Sequence, residues 1–124
     1  MNNIIICNDF TQIIEHYLNN FDLYEKCKKY SYICIYGSIE FFKSNDIKKI
    51  IVHEIYIEEQ FRRIGLCSNF IKYFIDKLNG TNKIFVIQSV LSKILYEYLL
   101  RFNYNEYKFF LKKDGFVIKK CKIN

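Results

Sequence analysis

The spacing of apolar side chains predicts a chain in which helices alternate with strands. Apolar residues recur every three to four positions, the period of a helix with one buried face, in residues 9–21, 66–79 and 91–101. Asp9 and Gln12 have the spacing of a capping box and mark the start of the first helix. Residues 22–29 are predicted to form a further short helix.

Short runs of β-branched and aromatic residues predict seven strands. They cover residues 3–7, 32–36, 39–42, 47–57, 84–87, 105–112 and 116–121. Gly37 and Ser38 favour a two-residue type II′ hairpin turn, and Lys113, Asp114 and Gly115 favour a second hairpin.

The order of these elements, β-α-α-β-β-β-α-β-α-β-β, is typical of an α+β fold. We expect one domain, residues 1–124, built on a mixed, mostly antiparallel twisted sheet. A β-α-β crossover at residues 47–87 lies at its centre, and we expect helices on both faces.

Composition excludes some classes of protein and adds one hint. Hydrophobic residues make up 51% of the 124 residues, so the chain can fill a core and is not of the disordered class. The net charge of +6 suggests an anionic partner. Ile, Asn, Lys, Tyr and Phe are all abundant, and all have A/T-rich codons. An A/T-rich genome is therefore another explanation for the many lysines. Because the lysines are scattered, we do not expect a nucleic-acid-binding module.

The cysteines and the lengths of the apolar runs indicate the cellular compartment of the protein. The five cysteines are an odd number and contain no Cys-x-x-Cys pair, so we expect neither a disulfide framework nor a metal site. No run reaches the ~20 apolar residues of a membrane span, and the first residues lack the features of a signal peptide. The sequence therefore predicts a reduced, cytoplasmic domain without membrane contact.

The loop between the strand at 47–57 and the helix at 66–79 is the strongest candidate for chemistry. A loop that enters a helix leaves several backbone N–H groups unpaired, and with the helix dipole they bind phosphate oxygens. Arg62 and Arg63 add positive charge there, and Gly65 lets the backbone approach a ligand closely. The three glycines of a dinucleotide loop and the Gly-Lys-Ser/Thr ending of a Walker loop are both absent.

This loop resembles the acetyl-CoA loop of the GNAT family of N-acetyltransferases, whose pattern is Arg/Gln-x-x-Gly-x-Gly/Ala. The matching residues here are Arg62, Arg63, Ile64, Gly65, Leu66 and Cys67, followed by Ser68. A second family element, Asn and a small residue before Leu-Tyr-Glu, corresponds to Ser89, Ser92, Leu95, Tyr96 and Glu97. Arg63 and Cys67 depart from the family's glycine or alanine, and Ser89 from its asparagine. The resemblance covers roughly residues 30–120.

The resemblance implies an acetyl-CoA-dependent N-acetyltransferase that acts on a primary amine of a protein, a peptide or a small molecule. Backbone groups of Ile55, Tyr56 and Ile57 would bind the pantetheine, with the Tyr56 or Ile57 N–H polarising the thioester carbonyl. The loop from Arg62 to Ser68 would hold the pyrophosphate, and Ser89 and Ser92 would lie near the pantetheine arm. Tyr96 would protonate the departing thiolate.

The general base and the acceptor stay open. His53 and Glu54 both precede the pantetheine-binding residues; His53 is expected to share the side of Ile55 and Ile57, and a bound water is a third candidate. The partners would be acetyl-CoA and an amine, and a homodimer is compatible with the sequence. The alternative is a catalytically degenerate GNAT-like domain that binds CoA or a protein.

Overall fold

A computed structural model describes residues 4–90, 92–113 and 115–121. Its strands are β1 (Ile4–Ile6), β2 (Lys28–Cys34), β3 (Gly37–Lys43), β4 (Lys49–Ile57), β5 (Ile84–Ile87), β6 (Tyr107–Lys112) and β7 (Gly115–Lys120). Its α-helices are α1 (Phe10–Asn20), α2 (Leu66–Leu78) and α3 (Lys93–Arg101). Asn3, Leu91 and Asp114, which belong to predicted elements, lie outside the described residues.

The strands form one sheet in the order β1-β2-β3-β4-β5-β7-β6. Pairing is parallel between β1 and β2 and between β4 and β5, and antiparallel at the other four contacts. The two parallel contacts follow from the connections, since each joins strands separated by at least one helix. The mixed, mostly antiparallel α+β sheet and its central β4-α2-β5 crossover are confirmed.

Local capping chemistry sets the ends of the helices as predicted. Asp9 caps α1 by accepting a hydrogen bond from the Gln12 N–H at 2.8 Å, and the Gln12 side chain accepts in return from the Asn8 N–H. After α2, Gly80 adopts the left-handed conformation at φ +82° that ends many helices.

The chain between α1 and β3 differs from the prediction. Residues 22–29 form no α-helix: a 3-10 turn at Phe21–Leu23 is followed by a bend at Tyr24 and a turn at Lys26 and Cys27, and β2 begins at Lys28. Pairing with β3, together with the stacking of Tyr24 on Tyr30 at 3.9 Å, outweighs the helical pattern.

The first hairpin also turns two residues earlier than predicted. Cys34 pairs with Gly37, so Ile35 and Tyr36 form the turn, and Gly37 is already part of β3. The glycine is needed for packing, because a Cβ there would lie 1.9 Å from the Tyr56 carbonyl oxygen of β4. The local turn preference of Gly37-Ser38 therefore yields to the close approach of two strands.

All three described α-helices cover the same face of the sheet. Each places an aromatic ring, within the helix or at its end, against a strand ring, in the pairs Tyr17–Phe41, Phe74–Phe85 and Phe102–Phe109. The strand register puts these three strand rings on one face. The prediction of helices on both faces is therefore wrong for the described residues. The second face, called the open face below, carries none of these three helices, although Ile51 and Val86 on it are buried.

Candidate functional site

The pairing of β4 with β5 ends at the centre of the sheet, and the unpaired edge of β4 beyond this point is called the cleft below. They pair from Lys49 opposite Ile84 to Val52 opposite Ile87, and the Gln88 N–H closes this ladder on the Val52 carbonyl at 2.8 Å. β5 ends there, whereas β4 runs five residues further, to Ile57. The second half of β4 is thus paired with β3 alone among the described strands.

A β-bulge changes the direction of side chains where this cleft begins. Glu40 of β3 lies opposite Glu54 and Phe41 lies opposite Val52, so His53 is an extra residue in β4. Val52 packs into the core before the bulge, and Ile55 and Ile57 pack against the same core after it. Core-facing side chains thus occupy even positions before the bulge and odd positions after it, and one inserted residue produces this change.

The hydrogen-bonding register directs backbone groups of Ile55 and Ile57 into the cleft. The Glu58 N–H donates to the Tyr36 carbonyl at 2.8 Å, so in this antiparallel pair the backbone groups of Glu58, Tyr56 and Glu54 point towards β3. Those of the alternate residues, Ile55 and Ile57, point to the opposite side. Of the three predicted backbone contacts, the one assigned to Tyr56 is therefore wrong, because its N–H and C=O face β3.

The start of α2 presents unpaired N–H groups next to the end of β4. Gly65 is the N-cap residue, with φ +84° and without a side-chain cap. Helix geometry leaves the N–H groups of Leu66, Cys67 and Ser68 without acceptors inside the helix. A Cβ at Gly65 would meet no protein atom within 4 Å, so the space beside these N–H groups is open. The glycine is required by its left-handed backbone, and the open space is suited to a ligand.

The two arginines of this loop differ in their surroundings. The Arg62 Nε donates to the Ile57 carbonyl at 2.8 Å, and its guanidinium lies 5.3 Å from the centre of the Tyr56 ring. These contacts hold the loop against the end of β4. Arg63 is exposed and adopts a left-handed backbone at φ +67°, which is uncommon outside glycine. Ile64, between them and the glycine, is 60% exposed.

Cys67 and Tyr98 close the inner side of the loop. Burial raises the pKa of the Cys67 thiol to about 11, and this partly buried side chain packs against the core. Burial also raises the pKa of Tyr98, against the opposing effect of a hydrogen bond with Ser68. Tyr98 of α3 contacts the loop through this hydrogen bond, and neither residue type nor spacing in the sequence indicated the contact.

The residues predicted after β5 lie at the rim of the cleft. The Tyr96 ring packs on Phe116 at 5.2 Å, and Phe116 pairs with Ile87, the last residue of β5. Ser92 is the N-cap of α3 and accepts a hydrogen bond from the Leu95 N–H at 3.3 Å. Ser89 is exposed, with a left-handed backbone at φ +47°.

His53 and Glu54 both lie on the open face of the sheet. The His53 Nδ1 is 3.2 Å from the Gln88 Oε1, and its Nε2 is 3.8 Å from the Glu40 Oε1. Glu40 lies between Ile39 and Phe41, whose side chains are in the core, so the Glu40 side chain lies on the open face. The expectation that His53 shares the side of Ile55 and Ile57 is therefore wrong, and the bulge is the reason.

The described residues contain neither a cluster of metal ligands nor a membrane-spanning helix. Residues 4–90, 92–113 and 115–121 contain no group of three or more His, Cys, Asp or Glu side chains arranged to hold a metal ion. Within the same ranges, none of the helices has both the length and the apolar character needed to cross a bilayer.

Comparison with known proteins gives a limited result. No protein-family model and no curated protein matches the sequence. Among solved structures, the chain is similar to a crystal structure from Exiguobacterium sp. 255-15 that is described as a "putative acetyltransferase". The TM-score is 0.48 at 10% sequence identity, and the match covers 86% of this chain and 74% of that one. Likeness of this degree carries no argument about activity, so the site itself has to support any function.

Proposed function

We propose that the chain binds acetyl-CoA in the cleft between β4 and β5 and transfers the acetyl group to an amine. The observation that carries this proposal is the separation of β4 from β5 next to an uncapped helix start. The exposed strand edge offers Ile55 and Ile57 to an extended amide-containing arm, and the start of α2 offers N–H groups to a pyrophosphate. A ligand with both parts, such as CoA, fits the two features together.

The proposed catalytic roles follow from the same arrangement. The Ile55 or Ile57 N–H would polarise the thioester carbonyl, because both point into the cleft. Tyr96 and Tyr98 are the two candidates for the acid that protonates the thiolate, and the surroundings of Tyr98, beside Ser68, favour a cofactor contact. His53 is the proposed base.

Gly65 allows a test with a matched pair of variants. Asn and Asp both tolerate a left-handed backbone and are nearly the same size, so Gly65→Asn and Gly65→Asp differ mainly in charge. At 100 times its Kd, a ligand stabilises the fold by about 2.7 kcal/mol, or about 10 °C in Tm for a chain of this size. We expect acetyl-CoA to produce this shift in the wild type and most of it in Gly65→Asn.

The Asp variant should keep the fold but lose the shift, because its carboxylate repels the pyrophosphate while still capping α2. Equal shifts in the two variants, or no shift in the wild type at millimolar acetyl-CoA, would contradict the proposal. Thiol release with a panel of amines then separates an enzyme from a domain that only binds CoA.

A further inference from the structure

The imidazole of His53 is held between two oxygen atoms from different strands. Its Nδ1 lies 3.2 Å from the Oε1 of Gln88, the first residue after β5, and its Nε2 lies 3.8 Å from the Glu40 Oε1 of β3. The imidazole is about a quarter exposed, with 27% of its side-chain surface accessible. The Nδ1 thus has a hydrogen-bond partner, the Nε2 has a carboxylate oxygen 3.8 Å away, and the ring has an open side towards solvent.

Gln88 is itself firmly placed. Its N–H donates to the Val52 carbonyl at 2.8 Å, which is the last hydrogen bond between β4 and β5. His53 follows Val52 directly, so His53 and Gln88 face each other across the point where the cleft opens. Because Val52 packs into the core, the next side chain, that of His53, lies on the open face, and the bulge returns Ile55 to the core side.

The charged neighbours of His53 come from three strands. Glu40 of β3 is opposite Glu54 of β4, and Lys29 of β2 lies 3.7 Å from the Glu40 Oε1. The second oxygen of Glu40 accepts a hydrogen bond from the Ser31 hydroxyl at 3.3 Å. Glu40 is thus held in place on the side of the imidazole opposite Gln88.

These contacts select one tautomer of the neutral imidazole. An amide oxygen only accepts hydrogen bonds, so the Nδ1 next to Gln88 must carry the hydrogen. The lone pair is then on Nε2, which faces the solvent side and Glu40. When Nε2 takes up a proton, the resulting cation gains an ion pair with Glu40. Without Gln88, Glu40 would instead favour a hydrogen on Nε2 of the neutral ring.

We propose that Gln88 is a positioning residue that holds His53 as the Nδ1–H tautomer, so that Nε2 accepts the proton of the amine acceptor. The inference rests on the proposed function for its catalytic part only. In the step, an ammonium N–H bond breaks and the proton moves to Nε2. The neutral amine nitrogen then forms a bond to the acetyl carbon, and the carbon–sulfur bond breaks. The thiolate of CoA leaves with the electron pair of that bond and takes up the second proton, which the nitrogen loses as it becomes an amide.

The tautomer can be measured by ¹⁵N NMR of the imidazole rings in the free protein at a pH where His53 is neutral. The chain has two histidines, so a His16→Gln variant assigns the signals. We expect Nδ1–H in the wild type, Nε2–H in Gln88→Leu, and a return to Nδ1–H in Gln88→Glu, whose carboxylate also accepts. A wild-type ring protonated at Nε2, or no change of tautomer in Gln88→Leu, would overturn the inference.

Turnover supplies the second readout, with acetyl-CoA and whichever amine of the panel gives thiol release. We expect Gln88→Leu to lower kcat about tenfold or more, with the KM for acetyl-CoA unchanged, and Gln88→Glu to restore most of it. A kcat that does not follow the tautomer would overturn the catalytic part. Failure of acetyl-CoA to bind the wild type would contradict the proposed function and leave the tautomer result standing.

Discussion

At the scale of single residues, two glycines with positive φ have different surroundings. Gly37 touches β4, where a Cβ would lie 1.9 Å from the Tyr56 carbonyl oxygen, whereas a Cβ at Gly80 would meet no protein atom within 4 Å. Both have positive φ, +153° and +82°. Substitutions at the two positions therefore distinguish the free-energy cost of a backbone clash from the free-energy cost of an unusual φ.

We predict that Gly37→Ala destabilises the fold by about 3 kcal/mol and Gly80→Ala by about 1 kcal/mol. The clash at Gly37 involves two backbones, so it cannot be relieved by a side-chain rotation. Urea unfolding measures both free energies. Equal losses in the two variants would show that the contact between β3 and β4 is looser than described.

The thiol of Cys67 gives a second prediction at this scale. Burial raises its pKa to about 11, whereas Cys27 is exposed. Because the thiolate is the reactive form, iodoacetamide at pH 8 should modify Cys27 at least ten times faster than Cys67. Mass spectrometry of the digested protein measures the two rates, with denatured protein as the control in which both react. Similar rates in the native protein would contradict the inward packing of Cys67.

At the scale of elements, the bulge at His53 orients the whole second half of β4. With the extra residue, Ile55 and Ile57 pack against the core, and without it they would turn to the open face. Ile55 and Ile57 are half-buried, so exposing both costs about 2 kcal/mol or more. The bulge also moves Ile55 and Ile57 into the register in which their backbone groups face the cleft.

We therefore predict that deletion of His53 destabilises the protein by about 2 kcal/mol or more and abolishes acetyl-CoA binding. His53→Ala keeps the bulge and is the matched control, with a small loss of stability and normal binding. Thermal unfolding with and without acetyl-CoA measures both quantities. If the deletion and the substitution behave alike, the bulge has no role in forming the site.

The outcomes for individual elements show which features the sequence could predict. Periodic apolar residues and local caps located the helices, since both signals lie within a few neighbouring residues, as with Asp9 and Gln12. The start of β2 at Lys28 and the turn at Ile35 and Tyr36 were missed because pairing with β3 and the contact of Gly37 with β4 decide them. Such contacts join distant parts of the chain and leave no local pattern.

In the candidate site, too, features set by neighbouring residues could be predicted and features set by distant contacts could not. The loop from Arg62 to Ser68 was predictable, because its glycine and its arginines are adjacent in sequence. The orientation of His53 was not, because an even–odd alternation has no means of anticipating a bulge set by β3. Tyr98 and Gln88 depend on how α3 and β5 pack, so neither residue type nor spacing indicated them.

At the scale of the whole molecule, buried phenols couple stability to alkaline pH. Burial, followed by a hydrogen bond with Tyr24, raises the pKa of Tyr32 far above its usual 10.0. Burial likewise raises the pKa of Tyr17, whose hydroxyl has no hydrogen-bond partner among the described residues. Below pH 10 both states are protonated and the contribution is complete. Above pH 10 the unfolded chain loses these protons first, so stability falls as pH rises.

We predict a steep loss of the free energy of unfolding between about pH 10 and pH 11.5, with a smaller slope in Tyr32→Phe. Urea unfolding at a series of pH values, with reductant present, measures the slopes. Tyr56→Phe is the control, since that side chain is 47% exposed. An identical slope in wild type and Tyr32→Phe would contradict the assignment to Tyr32.

The overall arrangement places the helices on one face and His53 with Gln88 on the other, with the cleft between β4 and β5 connecting the two. A cofactor held by the start of α2 would therefore bring its reactive end towards the open face, where the proposed base lies. The chain has a net charge of +6, and the positive charges of Arg62 and Arg63 lie at the loop, where they would attract the phosphates of such a cofactor.

Titration of ¹⁵N-labelled protein with acetyl-CoA, followed by backbone amide NMR, tests the proposed binding site directly. We predict large shifts for the amides of Ile55, Ile57 and the first turn of α2, and a small shift for Tyr56, whose N–H remains bonded to β3. Saturable shifts confined to other surfaces, or no shifts at millimolar acetyl-CoA, would contradict it.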